Sequence, residues 1–144
     1  MTIKVSRHIN QSQVKVWNTL SDLAHHPSWM KDAVNLEFTT DQTSGVGTLM
    51  DVETKIGPFA TVDMLEVTDW VDGHHIVVQH RGVVTGTGRL AALGDDDGTL
   101  VTWTETLHFP WWLGGSVSSW AAKPVLIATW RGNLRRLESF LSSP

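Results

Sequence analysis

Cysteine is absent from the chain, which excludes thiol catalysis, disulfide bonds and thiolate metal sites at once. Tyrosine is absent as well, so no phenol can act as an acid or base. An excess of positive charge is also lacking. The 11 Lys and Arg are interspersed among 15 Asp and Glu for a formal net charge of −4, and no basic face of the kind that collects phosphates results. Nucleic acid is therefore not an expected partner. No apolar run approaches the roughly 20 residues of a membrane span. The opening Met1-Thr2-Ile3-Lys4-Val5-Ser6-Arg7 lacks the apolar block of a signal peptide, and a cytoplasmic location is the expectation. No repeat, low-complexity segment or linker interrupts the 144 residues, so a single domain over residues 1–144 is expected, with 41% apolar residues to build its core.

What the chain does have is tryptophan, eight in all, concentrated toward the end. Bulky, flat side chains with a polar tip close a core, and they also wall the cavities that hold apolar ligands. A β-like run, Leu100 to Phe109, leads through Pro110-Trp111-Trp112-Leu113-Gly114-Gly115 into a long segment. There Trp120, Ile127, Trp130, Leu134, Leu137 and Leu141 recur at helical spacing. Pro124 inside that segment predicts a kink or a restart of the helix, and Gly114-Gly115 is either a hinge for a gating loop or simple turn chemistry.

Nearly everything before this is strand-like. Ile3 to Ile9 alternate and predict a first strand. A helix follows, with Asn10 expected as its cap in a capping box with Gln13, and with Val16, Trp17, Leu20 and Leu23 on one face. Pro27 ends that pattern. Further strands are expected over 34–38, 48–55, 59–70, 75–81, 85–93 and 100–109, separated by Gly, Pro and Asp turns; the length of the fourth suggests a bent or bulged path. Gly86 and Gly88 thin one face of the sixth, as happens where a sheet bends or another group approaches. Asp95-Asp96-Asp97-Gly98 reads as a turn, since the glutamate that closes a calcium loop is missing at the required spacing. A mostly antiparallel sheet followed by one amphipathic helix buries both apolar surfaces by curving the sheet around the helix.

Five stretches in order then resemble a known family: Val16-Trp17-Asn18-Thr19-Leu20-Ser21-Asp22, His26-Pro27-Ser28-Trp29, Gly45-Val46-Gly47-Thr48, Glu66-Val67-Thr68-Asp69-Trp70 and Gly98-Thr99-Leu100-Val101-Thr102-Trp103. They are similar to the bacterial polyketide cyclase/dehydrase-like branch of the SRPBCC superfamily, which also holds START lipid-transfer domains and the birch-pollen-allergen (Bet v 1-like) fold. The resemblance implies an α+β helix-grip. In that fold a seven-stranded antiparallel sheet wraps a long C-terminal helix, with two short helices between strands 1 and 2 and an apolar cavity inside. It does not imply one activity, because the superfamily spans aromatase/cyclases, dioxygenase subunits, lipid carriers and hormone receptors.

Candidate chemistry follows from strand alternation. On the strand 100–109 Glu105 shares a face with Val101, Trp103, Leu107 and Phe109, where burial would raise its pKa. Three roles stay open for it: an acid or base, a ligand contact, or a structural partner of Arg89 or Arg81. His80 shares a face with Ile76 and Val78 and is the imidazole best placed for proton transfer, or else a hydrogen-bonded core residue. The pairs His25-His26 and His74-His75 do not suggest metal, because neighbours on a strand point to opposite faces. No metal and no cofactor are expected. Trp17 and Trp70 are expected to be packing residues. Trp29, Trp103, Trp112, Trp120 and Trp130 lie where the helix-grip cavity and its mouth would be, each either a ligand contact or plain core packing; Phe109 and Ile127 are further candidate ligand contacts, with Glu105, His80 or Arg89 orienting the polar end of a ligand.

The function expected is binding of an apolar or aromatic small molecule, lipid or polyketide-like, by a monomer or weak homodimer. An aromatase/cyclase-type or dehydratase-like enzyme using the same pocket is the alternative. A co-chaperone-like interaction module with a solid core is the third reading.

Overall fold

The computed structural model describes residues 1–143. In β1 (Thr2–Ile9) Ile3, Val5 and Ile9 are buried while Thr2, Lys4 and Ser6 meet water, so the strand has one face to hide. The strands β2 (Ala33–Phe38), β3 (Leu49–Ile56), β4 (Phe59–Val71), β5 (His75–Arg81), β6 (Thr85–Asp95) and β7 (Gly98–His108) complete one antiparallel sheet in the order β1-β7-β6-β5-β4-β3-β2. Strands 2 to 7 are thus successive hairpin neighbours. β1 then pairs with β7, Ile3 opposite Glu105 and Val5 opposite Trp103. In the 13-residue β4 the pairing with β5 slips between Val67 and Asp69, so Thr68 is an extra residue and the long strand bends there.

Two short helices lie between β1 and β2. α1 (Gln13–Leu20) is capped by Ser12, whose side chain accepts from the Lys15 amide, and not by Asn10 as the sequence pattern suggested. Gln13 has another task, because its amide donates to the carbonyls of Gly73 and Ala92 and cannot fold back as a capping box requires. A 3-10 helix, Leu23–Ser28, follows and contains both Leu23 and Pro27. Trp17 packs edge-on against Trp70 at 5.7 Å and donates to Asp72, fixing α1 to the sheet.

A 3-10 turn, Trp111–Leu113, ends at Gly114, whose φ of +93° is open to glycine without strain, and there α2 (Gly115–Ser142) begins. The 28-residue helix continues through Pro124 and neither stops nor restarts there. Leu126, Trp130, Leu134, Leu137 and Leu141 are its buried stripe, and they join Ile3, Val5 and Val101 of the sheet in one core. Each such side chain contributes about 1.5–3 kcal/mol on burial. The fold is the helix-grip, and no helix among the described residues is long and apolar enough to cross a membrane.

Candidate functional site

Between the sheet and the N-terminal half of α2 lies a cavity of about 450 Å3. Ile76, Val78, Leu65 and Leu107 line it from the sheet and Ala122 and Leu126 from the helix. Into this apolar wall three strands bring one polar cluster.

Glu105 of β7 lies opposite Gly88 of β6, and His80 of β5 lies opposite Gly86 of the same strand. Because both β6 residues lack side chains, a trench crosses that strand. The Glu105 side chain uses it to reach a residue two strands away. A Cβ on Gly88 would stand 2.6 Å from Glu105 Oε1, which shows how fully the carboxylate fills the trench. Glu105 Oε2 is 2.8 Å from His80 Nε2, and Oε1 accepts from Trp103 Nε1 at 2.9 Å. Burial alone would lower the imidazole pKa. The hydrogen bond and charge of Glu105, with the charge of Asp63, outweigh it and hold His80 above its ordinary value.

Asp63 of β4 is the third member. Burial holds its carboxyl above the ordinary carboxylate range; the His80 charge opposes this and the Glu105 charge adds to it. No protein donor reaches it among the described residues. Its Oδ1 is buried without a partner over Gly82, whose missing Cβ leaves the room. Glu105 and His80 thus depend on glycines of β6, and Asp63 on Gly82 in the turn between β5 and β6.

The two other titratable groups that face the cavity are occupied. Asp32, at the entry to β2, accepts from Trp130 Nε1 at 3.2 Å and Asn133 Nδ2 at 2.6 Å, tying that entry to α2. His26 Nε2 lies 2.7 Å from the Leu20 carbonyl, and burial lowers the pKa of this imidazole, which keeps it neutral. No group of three or more His, Asp or Glu side chains is arranged to hold a metal ion among the described residues.

The residues singled out from sequence separate cleanly. His80, Trp103, Glu105, Phe109 and Trp130 line the cavity, with Trp103 and Trp130 stacked at 5.2 Å. Arg89 meets it only from the backbone side. Its side chain belongs to the outer face with Thr85 and Thr87 and reaches His75 Nδ1 at 3.4 Å, so it does not pair with Glu105 or face a ligand. Arg81 pairs with Glu66 instead. Trp29, 1% exposed, stands behind the wall, edge-on to Trp103 at 6.3 Å.

Trp112 and Trp120 point to solvent, Trp120 at 80% exposure. Helical geometry explains this: at about 100° per residue the stripe of Leu126, Trp130, Leu134 and Leu137 is continued by buried Ser119, and Trp120 is turned one step away. Ile127 is likewise one step past Leu126 and lies off the cavity wall, half-buried.

Asp63 was missed by sequence reasoning. The reason is that β4 inverts the usual pattern there, with Val62 and Met64 exposed and Thr61 and Asp63 turned inward. The available signal was parity with Leu65, which is two residues on and therefore on the same face.

A profile of the family described as polyketide cyclase/dehydrase and lipid transport matches residues 1–139. Among solved structures, a protein of Thermus thermophilus superposes with a TM-score of 0.82 at 18% identity, covering 99% of this chain and 100% of its own. The di-domain ARO/CYC StfQ from the steffimycin biosynthetic pathway superposes at 0.79 and 15% identity, covering 97% of this chain and 50% of that one. A START superfamily protein from Mycobacterium smegmatis superposes at 0.76 and 14% identity, covering 97% and 96%. No curated protein matches the sequence. At such identities the structural likeness establishes the fold alone.

Proposed function

The chain belongs to the polyketide cyclase/dehydrase and lipid transport family, and from that premise we propose that it binds a hydrophobic or aromatic small molecule between sheet and α2. The observation that carries the reading is the cavity of about 450 Å3 with an apolar wall and one polar cluster at His80 and Glu105. Enclosing roughly 200 Å2 of apolar ligand surface would contribute about 5 kcal/mol at about 25 cal/mol per Å2, before the cost of immobilising the ligand. The stacked faces of Trp103 and Trp130 suit a flat or chain-like skeleton.

A second reading is favoured by the same cluster. An imidazole paired with the Glu105 carboxyl and facing the charge of Asp63 on an apolar cavity wall is equipped to move protons, as an aromatase/cyclase-type enzyme would need. The two readings part at His80→Ala: a carrier keeps most of its affinity, whereas an enzyme loses turnover and keeps binding.

The test of binding is intrinsic tryptophan fluorescence against fatty acids, sterols, flavonoids and aromatic polyketides, with native mass spectrometry of the purified protein. Trp111, Trp112 and Trp120 are exposed and will be quenched by iodide, whereas Trp103 and Trp130 are shielded. A ligand in the cavity must therefore change the iodide-resistant emission. Absence of any such change across the panel, and of any co-purifying mass, would leave only the interaction-module reading.

A further inference from the structure

We propose that the cavity selects apolar ligands that carry a hydrogen-bond donor, a hydroxyl or a protonated amine, and rejects those that end in a carboxylate. This selectivity deepens the cavity-binding reading and rests on it. Its origin is the balance of charges and hydrogen bonds around the wall.

The titratable side chains that face the cavity are Asp32, Asp63, Glu105, His26 and His80. Lysine does not line it, and the single arginine on the wall, Arg89, sends its guanidinium to His75 on the outer face. Asp32 is engaged by the Trp130 and Asn133 donors, and neutral His26 is engaged at the Leu20 carbonyl. His80 is matched by Glu105 at 2.8 Å. That leaves the Asp63 carboxyl, an acceptor that no donor of the protein reaches among the described residues, beside an ion pair that already sums to zero.

An entering carboxylate would bring another negative charge to a wall without an unmatched cation, and it would shed its own water to do so. The free Nδ1 of His80 could meet one of its oxygens. The imidazolium carries one charge, however, and Glu105 and Asp63 already face it. A hydroxyl or ammonium group has the opposite effect. It can donate to the Asp63 carboxyl, which lines the cavity and receives no donor from the protein among the described residues.

The experiment is isothermal calorimetry with decanol, decylamine and decanoate, which share one hydrocarbon chain, at neutral pH on the wild-type protein and on Asp63→Asn. Iodide-resistant tryptophan emission reports whether the probe is in the cavity. Expected for the wild type is binding of decanol and decylamine at least about tenfold tighter than decanoate. In Asp63→Asn, which keeps the side-chain shape, the preference for decylamine over decanoate should shrink about tenfold. Comparable affinity for all three in the wild type would overturn the selectivity and leave the cavity reading standing. An unchanged preference in a folded Asp63→Asn would remove Asp63 as its source and overturn the inference. Failure of all three probes to bind would overturn both readings together.

Discussion

Replacing Gly88 by alanine is the sharpest test of the cluster, because the whole effect should come from one methyl group. Gly88 has no left-handed φ, so the backbone accepts alanine, and that change by itself would stabilise by about 0.5–1 kcal/mol. The new Cβ would lie 2.6 Å from Glu105 Oε1 and 2.9 Å from its Cδ and Oε2. The Glu105 carboxylate is the far end of a flexible chain, so it can move aside; doing so breaks its contact with His80 and its bond from Trp103. Hydrogen bonds to charged groups contribute about 1.5–3 kcal/mol each, and the displaced carboxylate regains part of that from water in the cavity. The side chains of His80 and Glu105 are only 16% and 8% exposed, so solvent weakens the pair little. A net loss of about 2–3 kcal/mol is expected by urea denaturation. The His80 titration, followed by NMR, should move downward, since burial still lowers that pKa while the Glu105 contribution is gone. A variant within about 0.5 kcal/mol of wild type, with His80 titrating as before, would refute the trench geometry.

Gly86→Ala should be far worse than Gly88→Ala. Its φ is +140° and the new Cβ would run into the Thr106 carbonyl, which is backbone and cannot yield; circular dichroism should show loss of the fold or a lower Tm than Gly88→Ala. Trp120→Ser should change stability by less than about 0.5 kcal/mol in thermal melts, in keeping with a ring 80% exposed. Stability should also fall as pH rises above about 6.5. The folded His80 pKa lies above the ordinary 6.5, so the stabilisation from its charged form is complete below that value and is lost as pH rises through the higher folded one. Raised Asp63 works in the same sense above its ordinary 3.8. A urea midpoint that is flat from about pH 6 to about pH 9 would contradict the assignment of His80 as the raised group. Trp130→Phe should cost about 1.5–3 kcal/mol in urea, because Asp32 would keep only its Asn133 donor; an unchanged midpoint would show that the indole bond carries nothing.

The sheet and helix were legible because period-two and helical patterns leave an unmistakable trace when one face is buried. Glu105 and His80 were legible for the same reason, each being the polar residue on an otherwise apolar strand face. Their partnership was not, since it spans two strands and depends on the absence of side chains at Gly86 and Gly88, a feature that periodicity records only as a gap. Arg89 was misplaced because charge complementarity suggested a partner for Glu105 without regard to which face each strand presents. Trp120 was misplaced because a stripe of large residues defines a helix face only to within one residue, about 100°. Asp63 escaped because exposed Val62 and Met64 make the wrong face of β4 look like the buried one.

These placements also explain why a chain with eight tryptophans keeps an empty space inside. A large ring at a cavity edge would ordinarily rotate or slide into the void, since interiors favour close packing. Here the two rings on the wall are held at their polar tips. Trp103 donates to Glu105 and Trp130 donates to Asp32, and the two rings are stacked face to face at 5.2 Å with Trp29 behind the first. Moving either ring inward would leave a buried carboxylate short of a donor, and that costs more than the dispersion energy recovered by filling part of the void. The carboxylates of Glu105 and Asp32, which anchor the two rings, therefore help to keep the cavity open.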